Sequence, residues 1–360
     1  MKIRAVHQVV AALLPGDAVG NEALEFRRML RASAHESRIY AGHVAPEMAD
    51  EGLPFDAYAG LPDSADAVTL LHFAIGSPVM RAVLARRGPL VLRYHNVTPA
   101  HFFVGFRPDL VELCHQGRAL LADFASRATV GLAVSEFNRR DLVDASFEKT
   151  EVLPLAMNFT ALDEAPDPFV LSRFNDTRRN LIFVGRLAPN KKVEDVIRVF
   201  CAYQRYVEPE SRLFIVGDGR GFETYTRRLD ELVSHLRIDE VVFTGPVTQA
   251  ELNAYYRLSH AYLSLSEHEG YGAPLVEAMH FGLPVLAFDA GAVRETLRGG
   301  GVLMEDKAPE VVAELLDVVL NDEATRAAVL ATQARALGSI RGLDLASGLA
   351  RILKSVEEAA

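Results

Sequence analysis

Short apolar runs alternate along the chain with stretches in which apolar residues recur every three or four positions. That alternation is the signature of strand–helix units built on parallel sheets. In the first half, residues 68–73, 89–94 and 130–134 read as buried strands, and Ile3, Ala5 and Val9 mark an earlier one. Helical periodicity is expected after Gly20, over 78–86 and over 110–127. A second series places strands at 181–184, 212–216, 241–244, 261–265 and 284–288, with helices near 193–206, 221–236, 248–258 and 274–281. From Ala308 onward the pattern is helical and rich in Ala, Leu and Glu. Residues 162–180 hold Pro166, Pro168 and several charges with little periodicity, and are the best linker candidate. The expected architecture is α/β: two doubly wound parallel-sheet domains, 1–165 and 166–342, facing across a cleft, with a final helix at 343–360 returning to the first. In such sheets ligands bind at the carboxyl ends of the strands.

Composition narrows the class. A length of 360 residues suits two domains, and 49% hydrophobic with 24% charged residues excludes a disordered chain. The net charge of -10 argues against a general nucleic-acid binder, which needs a basic face. Cys114 and Cys201 form no disulfide framework and match no metal spacing; they read as small buried residues in a reducing compartment. No apolar stretch reaches the ~20 residues that span a bilayer. Lys2 and Arg4 precede an apolar run as in a signal peptide, but His7 and Gln8 interrupt it, so a mature cytoplasmic chain is expected. The basic pairs Arg27-Arg28 (with Arg31), Arg86-Arg87 and Arg139-Arg140 read as solvated helix faces. Were two of them to share a face, they would suit anionic lipid head groups at the inner membrane face, each contributing ~1 kcal/mol.

The densest chemistry lies in Ser266-Glu-His-Glu-Gly-Tyr-Gly-Ala-Pro-Leu-Val-Glu-Ala-Met279. A strand ends, two glycines follow, and a helix opens near Pro274, since proline suits a first turn where its missing N–H costs nothing. Unpaired amides near Gly272 and Ala273 can receive a phosphate, and Gly270 and Gly272 let the backbone approach a ligand. Glu269 sits on the loop and Glu277 is expected in the first helical turn. A carboxylate accepts two hydroxyl donors, which suits the vicinal diol of a ribose or hexose; the plainer reading has Glu277 complementing the helix dipole.

Phe183-Val-Gly-Arg-Leu-Ala-Pro-Asn-Lys-Lys192 follows a strand and carries Gly185, Arg186 and Lys191 into a loop that opens a helix. A guanidinium fork and a mobile ammonium can neutralise a pyrophosphate without a metal ion. No Asp-x-Asp triplet or His/Asp cluster at metal-ligand spacing occurs in the sequence, so no metal is expected. Val216-Gly-Asp-Gly-Arg-Gly221 imitates a dinucleotide fingerprint, but its glycines are spaced Gly-x-Gly-x-Gly.

In their order, Gly-Arg-Leu-x-x-x-Lys, Val-Gly-x-Gly, Val-x-Phe-x-Gly-x-Val (241–247) and Glu-Gly-Tyr-Gly-x-Pro-Leu-x-Glu-Ala-Met resemble the family-4 retaining glycosyltransferases of the GT-B fold, with its two Rossmann-like domains. Gly-Leu-Pro-Val (282–285), Gly291 and Glu295 continue the likeness, which covers about 180–300; the first half agrees in layout only. The resemblance implies that Arg186 and Lys191 hold the donor diphosphate and that Glu269 meets the donor sugar beside the Gly270, Tyr271 and Gly272 backbone. It further implies that Glu277 holds the ribose, Leu275 packs near it, and Pro246 and Val247 meet the base. His95, at a strand end, looks like the family histidine that contacts the donor sugar. His72, which also closes a strand, reads as structural. The loop 14–21 is similar to the family's glycine loop beside the diphosphate, with Gly20 favoured as the approaching residue. The sequence departs from the pattern at Lys192, where many relatives have glycine, and at Ala273. A nucleotide diphosphate sugar donor, a saccharide or lipid-linked acceptor and a domain 1–165 on the acceptor side follow as expectations. A nucleotide-sugar epimerase, a phosphorylase or a non-catalytic nucleotide-sugar-binding subunit would share the phosphate logic. Donor base and oligomeric state are not legible.

Overall fold

The computed structural model describes residues 2–359. Seven strands form the first sheet: β1 (Ala5–Leu13), β2 (Ile39–Val44), β3 (Leu53–Pro54), β4 (Ala67–Phe73), β5 (Leu90–Tyr94), β6 (Val130–Ala133) and β7 (Thr150–Val152). Six form the second: β8 (Arg179–Val184), β9 (Ser211–Val216), β10 (Val241–Gly245), β11 (Ala261–Ser264), β12 (Val285–Phe288) and β13 (Val302–Met304). The orders are β3-β2-β1-β4-β5-β6-β7 and β10-β9-β8-β11-β12-β13. The pairings are parallel, with β8 running Leu181 against Leu213 and Phe183 against Ile215. Strands such as β9, buried at every residue, have no polar face to expose, which is why they read as continuous apolar runs.

The chain divides into two compact units: residues up to His101 with Pro108–Asn158 and the stretch from Asp344, and a second made of Phe102–Arg107 with Phe159–Leu343. In the first, the helix Leu345–Ala359 sends Leu349, Ile352, Leu353 and Val356 into a core with Val6, Phe26, Leu70, Val91 and Leu132. Burying each such side chain is worth about 1.5–3 kcal/mol. In the second, Phe103 packs on Phe222 with ring centroids 5.8 Å apart, and Arg107 Nη1 donates to the Gly221 carbonyl at 2.7 Å. No sequence pattern signalled that 102–107 would join this unit.

Residues 162–180 are not an irregular linker. They overlap the helices Phe159–Asp163 and Pro168–Arg173, the second capped by the Asp167 carboxylate on the Val170 amide at 2.8 Å. Asn253 donates to the carbonyls of Ala161 (2.9 Å) and Glu164 (3.2 Å), and the Asp167 amide to Ala250 (2.8 Å), sewing the stretch to the helix Gln249–Leu258. Both cysteines are buried and free. Among the described residues, no helix is long and apolar enough to cross a membrane.

Candidate active site

In the second sheet the chain runs from β8 outward through β9 to β10, then returns to the other side of β8 as β11. The loops after β8 and β11 therefore flank a topological switch point, the place where open α/β sheets bind ligands. Close backbone contact shapes the β8 loop. Gly217, at φ 148°, lies so near Gly185 that an added Cβ would sit 2.0 Å from its carbonyl oxygen. Gly217 thus serves the close approach of the two loops. A short 3-10 turn, Pro189–Lys191, follows, and Asn190 bridges to the β11 loop: its carbonyl accepts from the Glu267 amide (2.9 Å), and its side-chain nitrogen donates to the His268 carbonyl (3.2 Å).

That bridge brings Lys191 and Glu269 together. The ammonium donates to both carboxylate oxygens at 2.7 Å, with side chains only 21% and 11% exposed, so the pair is better shielded than a surface bridge. Lys192 adopts a left-handed conformation (φ 52°, ψ 45°) at the start of the helix Val193–Tyr206, a conformation that glycine takes without steric cost. Arg186, exposed on the same loop, lays its guanidinium 5.0 Å over the Phe222 ring.

Glu269 is held from behind: the Ala292 amide donates to its carbonyl at 2.9 Å, and Gly291 (φ 61°) presses against its backbone. Gly272, at φ 87°, precedes the helix Ala273–His280 and brings no side-chain cap; Pro274 has no N–H and the Leu275 amide donates to the Gly272 carbonyl at 3.0 Å, so the helix start offers an anion the Ala273 amide. Leu275 packs beneath Gly272, and the Tyr271 carbonyl accepts from the Thr296 hydroxyl. Glu277 requires a correction: it lies beyond the first turn, which holds no acidic residue, so it does not cap the dipole. Its carboxylate accepts from the Tyr256 hydroxyl at 2.8 Å; burial pushes the carboxyl pKa up, and that hydrogen bond partly offsets the push. The buried Tyr262 hydroxyl is held well above the usual phenol range by burial, with the charges of Glu269 and then Glu277 adding to it. Both acids therefore lie within electrostatic reach of one phenol. Tyr256 and Tyr262 escaped the sequence reading because tyrosines on buried faces look like ordinary core. Val247 sits after β10, two strands from β8 and so ~10 Å across the sheet.

In the first unit the switch point falls between β1 and β4. Gly20 is not the loop glycine it was expected to be. The helix Ala18–Ala32 starts earlier, Asp17 accepts from the Gly20 amide at 3.0 Å, and a Cβ added at Gly20 would meet the Leu13 side chain at 3.2 Å. Gly16, at φ 72° with open space around it, takes the turn instead. His95 follows β5, and His72, expected as merely structural, hydrogen-bonds to it: Nδ1 to Nε2 at 2.9 Å. Glu22 joins them, so three possible metal ligands lie within 4.8 Å, a cluster that sequence spacing did not show. The buried Arg93 already occupies Glu22 through Nε (2.8 Å) and Nη2 (2.6 Å). The expected basic pairs are largely engaged: Arg27 with Glu51, Arg28 with Glu25, Arg86 with Asp63 and Arg139 with Glu136.

Residues 169–336 match the family model described as glycosyl transferases group 1. Among curated relatives, D-inositol 3-phosphate glycosyltransferase of Kineococcus radiotolerans is 29% identical over 226 residues, 57% of this chain and 52% of that one. Phosphatidyl-myo-inositol mannosyltransferase of Mycobacterium leprae is 26% identical over 281 residues, 77% of this chain and 70% of that one. The chain thus spans about half the length of the first of these relatives. Anabaena HepE, solved in complex with UDP and glucose, superposes with a TM-score of 0.74 at 17% identity, covering 98% of this chain and 100% of that one. The likeness of fold identifies the two parallel sheets as GT-B, and the residues that match the family model include Arg186, Lys191, Glu269 and Glu277.

Proposed function

We propose that the protein is a retaining, metal-independent glycosyltransferase. It moves a hexose from a nucleotide diphosphate sugar to a hydroxyl of a saccharide or lipid-linked acceptor, in bacterial polysaccharide or glycoconjugate synthesis. The observation that carries this reading is the Lys191–Glu269 pair at the β8/β11 switch point, beside a helix start with no side-chain cap. In the free chain the carboxylate holds the ammonium; an entering pyrophosphate would compete for it, freeing Glu269 for sugar hydroxyls. The anomeric carbon's bond to the departing phosphate oxygen breaks as the acceptor oxygen bonds the same face. The acceptor proton passes to a donor phosphate oxygen. The protein's contribution is electrostatic, with Arg186 and Lys191 in place before negative charge develops on the leaving group.

One relative is named a GDP-mannose-dependent alpha-mannosyltransferase, whereas HepE was solved with UDP and glucose, so GDP and UDP sugars are the donors to compare. Thermal unfolding with GDP, UDP, ADP and their sugars should show stabilisation by one base, because a ligand bound to the folded chain raises its apparent stability. With that donor, free nucleotide should appear only when an acceptor is added. Release of nucleotide that no acceptor stimulates, or no stabilisation by any nucleotide, overturns the proposal.

A further inference from the structure

We propose that Gln8 and His72 lock His95 into the tautomer protonated at Nε2, leaving Nδ1 as a standing acceptor for a ligand hydroxyl. The proposal rests on the preceding reading only in naming the hydroxyl as a sugar's.

The assignment follows from one end of the chain of bonds. Gln8 is buried on β1, and its side-chain nitrogen donates to the Ala23 carbonyl at 2.9 Å. A carbonyl can only accept, so the amide cannot be flipped and Gln8 Oε1 must face outward along the network. It lies 2.9 Å from His72 Nε2, which therefore carries a proton. His72 is buried, and burial first, then the neighbouring His95 and Arg93, hold it well below the usual histidine pKa despite the opposing pull of Glu22. It is neutral, so its Nδ1 has a lone pair. That lone pair sits 2.9 Å from His95 Nε2, which must be the N–H partner; Glu22 Oε2 lies 3.4 Å from the same nitrogen without a hydrogen bond to it.

With its proton at Nε2, His95 has its lone pair on Nδ1, and no described residue donates to that atom. Conversion to imidazolium is opposed from every side. Burial and then Arg93 hold His95 well below the usual histidine range. The one facing carboxylate, Glu22 from the helix Ala18–Ala32, is engaged by the Arg93 guanidinium and by the Ala156 amide at 2.9 Å. The Glu22–His72–His95 cluster is thus a proton-fixing relay rather than a metal cage, since His95 Nε2 donates its proton to His72 Nδ1. Gln8 and His72 are positioning residues: they act through His95.

The test is a nitrogen NMR spectrum of the full chain labelled at histidine, with assignments from single-histidine variants. His95 is expected to show a pyrrole-like Nε2 and a pyridine-like Nδ1, unchanged between about pH 8 and about pH 5, where an ordinary histidine titrates. His72→Asn, whose side-chain oxygen can replace Nδ1 as acceptor, should keep the pattern; His72→Phe, which cannot accept, should lose it. A protonated Nδ1 in the unmodified chain, or an imidazolium near neutral pH, overturns the proposal without need of any variant. The spectrum requires no donor, so an inactive chain with the expected tautomer would refute the transferase reading and leave this inference standing.

Discussion

Gly291→Ala tests whether the loop after β12 sets the position of Glu269. Gly291 has φ 61°, and a Cβ built there would lie 2.4 Å from the Glu269 carbonyl oxygen, 2.9 Å from its nitrogen and 3.2 Å from its carbonyl carbon. These are backbone atoms, so no flexible side-chain end can swing away. The left-handed conformation alone costs a non-glycine residue about 1 kcal/mol, and forced overpacking adds about 1–3 kcal/mol. Together about 2–4 kcal/mol should lower the thermal midpoint of the second unit by roughly 5–15 °C. Gly282→Ala is the control, since Gly282 has φ 70° but no atom within 4 Å of an added Cβ. It pays the conformational term without the collision and should lose only about 2–4 °C. Differential scanning calorimetry on both variants separates the two contributions. Nucleotide-induced stabilisation of Gly291→Ala should also shrink, because displacing Glu269 moves the partner of Lys191. Equal losses in the two alanine variants would refute the close-approach argument.

Arg186→Ala should lower turnover at saturating donor at least tenfold, roughly 1.4 kcal/mol of transition-state stabilisation; an unchanged rate removes Arg186 from the leaving-group role. Lys192→Gly should keep stability within about 1 kcal/mol of the parent, because relief of the left-handed conformation offsets the entropy of glycine, while Lys192→Val should be clearly worse; urea unfolding ranks the three, and a valine variant as stable as the glycine one contradicts the account. Glu277, its folded pKa raised by burial, binds a proton more tightly in the native state than unfolded. Its contribution to stability is therefore present at low pH and is lost as pH rises from the ordinary carboxylate range through the raised value. Denaturation of Glu277→Gln across that window should show a flatter pH dependence than the parent, and parallel curves would refute the assignment.

The sequence reading was strongest where burial is two-sided. A strand such as β9 has no polar face, and the helix Val193–Tyr206 fell on its expected boundaries because its apolar stripe is unbroken. Short or edge strands were missed for the converse reason. β3 has two residues, both exposed, and β2 interrupts its buried run with Gly42 and His43. Residues 162–180 looked like a linker because their order comes from partners far along the chain, the Ala250 carbonyl and the Asn253 amide. Gly16 and Gly20 look alike in one dimension, both lying near a strand–helix junction. Only the Asp17 cap shows that the helix has already begun.

The same distinction explains which chemistry was legible. Lys191, Glu269 and Glu277 belong to runs whose glycine and proline punctuation fixes a loop, so the motif carries its geometry with it. The histidine relay has no such local mark. Gln8, Glu22, His72 and Arg93 come from β1, the following helix, β4 and β5, and become neighbours only because β1 and β4 are adjacent at the first sheet's switch point. A buried glutamine in an apolar strand would ordinarily cost stability unless paired, and here each polar atom of its amide finds a partner. Replacing Gln8 by Leu would fill similar volume while removing the acceptor that fixes His72. If the relay is only a core polar network, that change should alter stability alone. If it sets the His95 tautomer, the His95 nitrogen signals must change with it.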